Sequence, residues 1–235
     1  MKKMKTLFVI DRETDLATRE VQPGYEWAFT DVCDISIKVD GTPVFFKNGV
    51  WYKRWDRKLI KKFAVKASNA RRKGLPFSLE EGMFKPVPPG AIACEPSPDP
   101  VTFHHPHWVP IGKGPEDVVL WECINNLISI HVDNSTYEAI GPKIQGNMYN
   151  VLSHFIIKHG SMKCDSPDVS NCDIPDVSFD SVKQWLKDNE AEGLIFKNTL
   201  TGEMCKIRRK DFFDFKEKVN GKRKIDWRND NVIFD

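Results

Sequence analysis

Charged residues occupy positions in this sequence where apolar strands would be expected to place core side chains. Lys38 ends the apolar run of SIKVDG, Glu138 lies within TYEAIG, and Glu192 precedes the run GLIF. Lys206 and Arg208 alternate with apolar residues in MCKIRR, so both side chains are predicted to lie on one face of a strand. An amine, two carboxylates and two further cations are a candidate set for binding or covalent chemistry, although Lys38 alone would equally suit an exposed strand end.

A tight turn is predicted to bring another cation to this set. Asn48 and Gly49 separate two apolar runs and suit the positive φ angles of a two-residue hairpin. The returning strand contains YKRWDRK, and the hairpin is expected to direct Arg54 back toward Lys38. The planar guanidinium of Arg54 suits a phosphate or ribose oxygen. Because so many charges are costly to bury unless they are paired, these residues predict a nucleoside triphosphate with a divalent metal as ligand.

The elements that must position these side chains are mostly strands. Helical spacing of apolar residues predicts one helix in PEDVVLWECINNL and another in SFDSVKQWLKDN, the second capped by Ser178 or Asp180. Prolines concentrate in residues 73–114, for which we expect an irregular surface insert without helix. The predicted fold class is α+β, dominated by antiparallel sheet, in a single domain of residues 1–235. Strands are predicted at Thr6–Ile10, Cys33–Val39, Thr42–Lys47 and Val50–Arg54, and within TYEAIGPKIQGN, NVLSHFIIKHG, AEGLIFKN and MCKIRR.

The composition predicts a soluble chain with one sizeable core. The 235 residues are 40% hydrophobic, and the formal net charge is +2. The apolar run near the start is too short and too charged for a signal peptide or a membrane span, so we expect no membrane partner. Six cysteines without CxxC spacing are typical of reduced thiols and favour a cytoplasmic location, and the lack of an obvious apolar surface helix predicts a monomer. Basic clusters at 53–73 and 206–224 suit either a polyanion-binding surface or a solvated face.

Five short segments occur in an order that resembles the covalent nucleotidyltransferases, the superfamily of nucleic acid ligases and capping enzymes. They are KVDG, YKRWDRK, TYEAIGPKIQGN, EGLIFK and CKIRRKDF, similar to motifs I, Ia, III, IV and V of that superfamily. The segment EPSPDPVTFHHPHWVPIGKGPED is similar to a Pro- and Trp-rich insert of the eukaryotic-type 5′-3′ RNA ligase family, which has viral and bacterial relatives. The resemblance implies a nucleotidyltransferase fold of antiparallel sheets with flanking helices. Because little sequence follows motif V, no OB-fold domain is expected.

The resemblance implies an ATP-dependent RNA ligase in which Lys38 attacks the α-phosphate of ATP and becomes a lysyl-adenylate. Lys206 and Arg208 would hold that phosphate, although motif V usually reads KxK and the arginine leaves the division of roles open. Glu192 would organise Mg²⁺ or Mn²⁺, and Glu138 would lie near the ribose and the metal. AMP would pass to an RNA 5′-phosphate and then be displaced by a 3′-hydroxyl. The implied partner is therefore RNA with these two ends, and the implied process is RNA repair.

The same resemblance assigns three more residues to the ATP site. Ile37 adjoins the nucleophile, Arg54 would touch ribose or the RNA 5′-phosphate, and Phe155 falls where related ligases stack an aromatic ring on adenine. Phe155 suits an ordinary core position equally well. The basic runs 71–73 and 208–210 are expected either to follow RNA phosphates or to be solvated.

Other interpretations stay open beside this one. A DNA ligase or a GTP-using capping guanylyltransferase shares motif I, but the short tail without an OB-fold domain argues against both. A catalytically inactive RNA-binding relative would have no reason to retain Lys38, Glu138, Glu192 and Lys206 together. A structural zinc site is disfavoured because the histidines and cysteines lack finger-like spacing, and the histidines are expected to line a groove or to be exposed. The residues concerned are His104, His105, His107, His154, His159, Cys164 and Cys172.

Overall fold

The computed structural model describes residues 4–100, 102–126, 132, 134–147, 149–159, 177–189, 191–213, 217–219 and 222–224. The described residues form two compact units: those within 41–144 and 151–156 belong to unit 1, and those within 3–40, 145–150 and 157–235 belong to unit 2. The protein is α+β, with antiparallel sheets and few helices. Its elements are β1 (Phe8–Ile10), β2 (Ala17–Val21), β3 (Cys33–Lys38), β4 (Thr42–Lys47), β5 (Val50–Arg57), α1 (Lys61–Arg72), β6 (Ile92–Ala93), β7 (His105–Pro110), α2 (Val118–Asn125), β8 (Thr136–Ile140), β9 (Phe155–Lys158), α3 (Phe179–Asp188), β10 (Gly193–Asn198), β11 (Met204–Arg208), β12 (Glu217–Val219) and β13 (Lys222–Lys224).

Unit 1 is built on a six-stranded sheet in the order β6-β7-β5-β4-β8-β9. Alternation along the strands directs one set of side chains to a core against α2, because successive residues of a strand face opposite sides. Val44 of β4, Tyr137 of β8 and Ile156 of β9 belong to that core, together with Leu120 and Cys123 of α2. The strand residues that alternate with these core residues therefore face the other side of the sheet.

The predicted hairpin at Asn48 and Gly49 is confirmed. Both residues have positive φ angles, 49° and 82°, and Lys47 pairs with Val50 across the turn. The strand that follows continues to Arg57, beyond its predicted end, because it pairs with β7 as well as with β4. In contrast, β3 pairs with β10 in a separate three-stranded sheet. Arg54 and Lys38 therefore belong to different sheets, and no strand pairing supports the expected return of Arg54 toward Lys38.

The proline-rich segment contains a buried strand, so the prediction of an irregular surface insert is wrong for residues 105–110. Every residue of β7 pairs with β5, although two of them are prolines. The carbonyl of Pro106 accepts a hydrogen bond from the Cys94 amide at 2.9 Å, so the backbone polar groups of Pro106 face away from β5. Pro110 lies four residues further along the strand, so its backbone polar groups point to the same side as those of Pro106. Both prolines therefore lack an N–H donor only on the side of the two-residue β6, where few ladder hydrogen bonds are lost.

Unit 2 contains the three-stranded sheet β11-β10-β3, which packs on α3. As predicted, α3 begins after Ser178, whose hydroxyl accepts the Ser181 amide at 3.2 Å. The alternative cap, Asp180, instead accepts two hydrogen bonds of 2.7 Å from the Arg19 guanidinium. Val182 and Leu186 of α3 lie in the core with Leu194 and Ile207 of the sheet.

No helix in the described part of the chain has the length and apolar character needed to cross a bilayer. The longest of the described helices, α1, has 12 residues and a strongly basic sequence. A spanning helix needs about 20 predominantly apolar residues.

Candidate functional site

The three-stranded sheet of unit 2 aligns three cations on one face. Gly193 is the register partner of both Lys38 and Arg208, and Ile195 is the register partner of Lys206. Directly paired residues of neighbouring strands point to the same side of a sheet. Lys38, Lys206 and Arg208 therefore form one cationic face, while Ile37 points into the core on the other side.

Lys38 is held by a carboxylate on the same face. Its ammonium donates a hydrogen bond to Oε2 of Glu192, and the two side chains are 19% and 13% exposed. Burial raises the pKa of Glu192, since desolvation penalises its charged form. Attraction to Lys38 opposes that increase in pKa, and the carboxylate of Asp40 adds to it. The pair thus joins an amine to a carboxylate with raised proton affinity.

Arg208 is oriented by Asp211, which the sequence reasoning did not single out. The Arg208 guanidinium donates to Asp211 through Nη2 at 2.6 Å and Nε at 3.0 Å. Asp211 also accepts the backbone amide of Arg208 at 2.9 Å, and its own side chain is only 4% exposed. Charge-assisted bonds to a buried carboxylate define the position of the guanidinium. The separation of Arg208 and Asp211 by three residues in RRKD was the sequence signal that could have predicted this contact.

The environment of Lys206 weakens the basicity of its side chain. The pKa of its ammonium is lowered to about 8, chiefly by burial and also by the neighbouring charges of Arg208 and Lys38, against the opposing effects of Glu192 and Asp211. An ammonium in this environment gains from a bound anion, because an anion supplies the compensating charge that the surrounding residues provide only in part.

We expect Lys206→Met to raise stability at neutral pH and this gain to disappear in alkali. The folded-state pKa lies below the unfolded value, so the unfolded chain binds more protons between about pH 8 and 10.4, and wild-type stability rises over that range. The full difference is roughly 3 kcal/mol. Urea unfolding of both proteins across this range measures it. The control, Lys210→Met, removes an exposed lysine from the same segment, and equal pH profiles for Lys206→Met and wild type would refute the argument.

The acidic residue of KVDG is anchored by a tyrosine that the sequence reasoning missed. The backbone amide of Asp40 donates to the Tyr149 hydroxyl at 2.7 Å. Tyr149 follows GPKIQGNM, so its position close to a recognised motif was the only signal. This contact fixes the chain two residues after Lys38.

The glycine of KVDG is required by packing within unit 1. A Cβ atom on Gly41 would lie 2.2 Å from the Ala139 carbonyl oxygen, and the Gly41 amide donates to Glu138 at 2.9 Å. Only glycine permits the backbone to approach β8 this closely. Glu138 is therefore a buried acceptor in unit 1.

The remaining predicted site residues lie in unit 1, on the sheet face opposite its core. Arg54 lies over the Trp108 ring at 5.6 Å from the centroid, and its Nε is 3.4 Å from Asp56. Phe155 is half-buried and precedes the core residue Ile156, so its ring is on the face of Glu138. The sheet thus presents all three predicted ligand contacts, Arg54, Glu138 and Phe155, on one side.

The expectation that the histidines line a groove is not tested by burial, but the alternative that they are exposed is wrong for three of them. His105, His107 and His154 are buried. The Nε2 of His105 donates to the Glu95 carbonyl at 2.8 Å, and the Nδ1 of His154 lies 2.9 Å from Glu122. Within the described ranges, no group of three or more His, Cys, Asp or Glu side chains is arranged to hold a metal. Cys164 and Cys172, considered for zinc, lie outside the described residues.

Comparison with known proteins does not assign the chain to a family. No family model matches the chain, and no curated protein matches it significantly.

Proposed function

We propose that this protein is an ATP-dependent RNA ligase with a nucleotidyltransferase fold. The observation that supports the proposal most directly is the cationic face of unit 2, where Lys38 is paired with Glu192 and shares its side of the sheet with Lys206 and Arg208. A nucleophilic amine, a carboxylate partner and two phosphate-binding cations are the groups that covalent nucleotidyl transfer requires.

In the first step the neutral amine of Lys38 attacks the α-phosphorus of ATP. A nitrogen–phosphorus bond forms, the bond from the α-phosphorus to the bridging oxygen breaks, and pyrophosphate leaves with the electron pair. Glu192 is the hydrogen-bond partner of that amine, and its raised pKa suits it to accept the proton that Lys38 must lose. Lys206 and Arg208 bind the oxygens of the α-phosphate, where charge develops.

The two later steps transfer the adenylate to RNA. An RNA 5′-phosphate oxygen attacks the lysyl-adenylate, so AMP moves to the strand end and the amine of Lys38 is released. A 3′-hydroxyl then attacks the activated 5′-phosphate, forming the phosphodiester bond and expelling AMP. Arg208 is suited to bind phosphate in both steps, because Asp211 orients its guanidinium while other N–H donors stay available.

After it has passed the proton of Lys38 to solvent, Glu192 would hold Mg²⁺ or Mn²⁺ together with phosphate oxygens of the nucleotide. One or two carboxylates plus substrate phosphates form the usual protein site for Mg²⁺, so the chemistry of this single carboxylate fits. When bound, the metal neutralises charge on the pyrophosphate. The nucleoside-binding roles of Arg54, Glu138 and Phe155 and the metal role of Glu138 stay predictions.

Incubating the purified protein with α-³²P-labelled ATP or GTP and Mg²⁺, followed by a denaturing gel, tests the proposal. Label from ATP that survives denaturation, and that moves to 5′-phosphorylated RNA when RNA is added, is the expected result. Label from GTP alone would favour a capping enzyme, and transfer to DNA in preference to RNA would favour a DNA ligase. Absence of label from both nucleotides would reject covalent nucleotidyl transfer.

A further inference from the structure

Unit 1 contains a basic segment that the chemistry at Lys38 does not use. Between Asp56 and Glu80 the chain has eight lysine and arginine residues and no acidic residue. One of them, Arg57, is buried and paired with Glu81. The other seven are exposed and belong to α1 or adjoin it, at positions 58, 61, 62, 66, 71, 72 and 73.

These seven cations form no ion pair with a carboxylate anywhere in the described ranges of the chain. Like charges at helical spacings of three or four residues repel each other, as Lys62 and Lys66 do. Such a helix is stabilised by a bound polyanion, which lowers the repulsion and releases counterions. Charge therefore identifies the class of ligand that this surface fits.

A cleft of about 270 Å³ runs along the same helix. Ala67, Ser68 and Arg71 contribute from one face of α1, since residues three and four apart lie on the same side. Lys58 and Phe103 line other parts of the cleft. The cleft thus combines the cations of Lys58 and Arg71 with apolar lining residues and the aromatic ring of Phe103. We call it the basic cleft.

The wall of the basic cleft is held in an uncommon backbone conformation. Phe103 has a φ of +58°, which few residues other than glycine adopt. Asp99 fixes the turn, because its carbonyl accepts the Phe103 amide at 2.8 Å and its carboxylate accepts the Thr102 amide at 2.7 Å. Strain of this kind persists where surrounding bonds impose it, and it is frequent at ligand sites. The turn that Asp99 stabilises therefore fixes the position of the Phe103 ring.

We propose that the basic cleft binds one nucleotide of a single-stranded RNA and that α1 binds the phosphates of the adjoining strand. Lys58 and Arg71 contact phosphate, and a base packs on Phe103 and on Ala64, an exposed residue that also lines the cleft, the arrangement that single-strand binding proteins use. A duplex is too wide for a cleft of this volume, which lies at the lower end of small-molecule sites, about 300 Å³. The choice of RNA rests on the proposed function, whereas the phosphate-binding surface does not.

A membrane surface fits α1 less well than a nucleic acid strand. An interfacial helix needs an exposed apolar face. The apolar side of α1 is already used, because Ala67 and Phe63 pack with Leu59 and Phe84 in a small core. Val65 is the single large apolar residue of α1 that is exposed.

Fluorescence anisotropy of a labelled single-stranded RNA, measured without ATP or metal, tests the inference. We expect Lys58→Ala/Arg71→Ala to weaken binding roughly tenfold at low salt and to reduce the slope of log K against log salt by about 1.4, since each phosphate contact on a single strand contributes about 0.7. The matched control, Lys47→Ala/Lys113→Ala, removes two exposed lysines of unit 1 outside α1. It should retain most of the affinity and the slope.

Equal losses in the two double variants would overturn the inference, because they would indicate dependence on net charge alone. Tighter binding to phosphatidylserine-containing vesicles than to RNA would also overturn it. Phe103→Leu adds a second readout, since loss of stacking should weaken RNA binding without altering the salt slope. Labelling with radioactive ATP, run in parallel on all variants, should be unchanged. A failure of RNA docking is thereby distinguished from a failure of the proposed catalysis.

Discussion

Replacing Lys38 with alanine is expected to abolish covalent attachment of AMP to the protein. In the proposed mechanism no other atom forms the bond to the α-phosphorus, so the loss should be complete within the sensitivity of a labelled denaturing gel. Lys38→Arg tests the chemistry further, because arginine retains the charge beside Glu192 but is not deprotonated in proteins. It should also fail to accept AMP.

The matched control for Lys38 is Lys197→Ala, which removes an exposed lysine from β10 in the same sheet. It should be labelled as wild type is. Circular dichroism on each variant is needed, because Lys38→Ala leaves the partly buried Glu192 without its partner. Full labelling of Lys38→Ala would show that another residue is the nucleophile.

Glu192→Gln separates the role of the carboxylate from that of the amine. If Glu192 accepts the proton from Lys38, the rate of adenylation should fall by about 10²–10⁴ while the final extent of labelling is retained. An unchanged rate would reject this role and leave the assignment of Lys38 intact.

Gly193→Ala is expected to cost roughly 3 kcal/mol of folding stability, a large effect for one added methyl group. A Cβ atom at this position would lie 2.2 Å from the Ile207 carbonyl oxygen and 2.9 Å from the Arg208 Cα atom. Both are backbone atoms, so β10 and β11 would have to separate. Because Gly193 is the register partner of Lys38 and of Arg208, separation would also disturb the cationic face.

Urea unfolding measures the effect of Gly193→Ala, and Gly82→Ala is its control. A Cβ atom on Gly82 meets nothing within 4 Å, so that variant should have close to wild-type stability. The two substitutions add the same atom and differ only in what surrounds it. A Gly193→Ala protein as stable as Gly82→Ala would mean that the strands are less closely packed than described.

Local signals in the sequence were sufficient for several elements. The hairpin depends on Asn48 and Gly49, whose tolerance of positive φ is a property of the residues themselves. The start of α3 depends on the hydroxyl of Ser178, which bonds an amide three residues away. The shared face of Lys206 and Arg208 follows from the two-residue period of a strand.

Elements without a local signal were missed. Helix α1 begins after Ile60 with no side-chain cap and no acidic residue in its first turn, so the sequence read only as a basic run. Strand β7 contains two prolines and read as surface loop. It is nevertheless a full partner of β5, because the prolines fall where the adjoining strand is short.

By itself the sequence determined which chemical groups are present and in what order: a lysine after an apolar run, two carboxylates within three residues of a glycine, and alternating cations at the end of a strand. It also determined the α+β class, since strand and helix periods are local. Only the tertiary structure decided which of these groups meet. Lys38 and Glu192 are separated by 154 residues and come together because β3 pairs with β10. Pairing between distant strands depends on the packing of whole faces, and no short window of sequence contains that information.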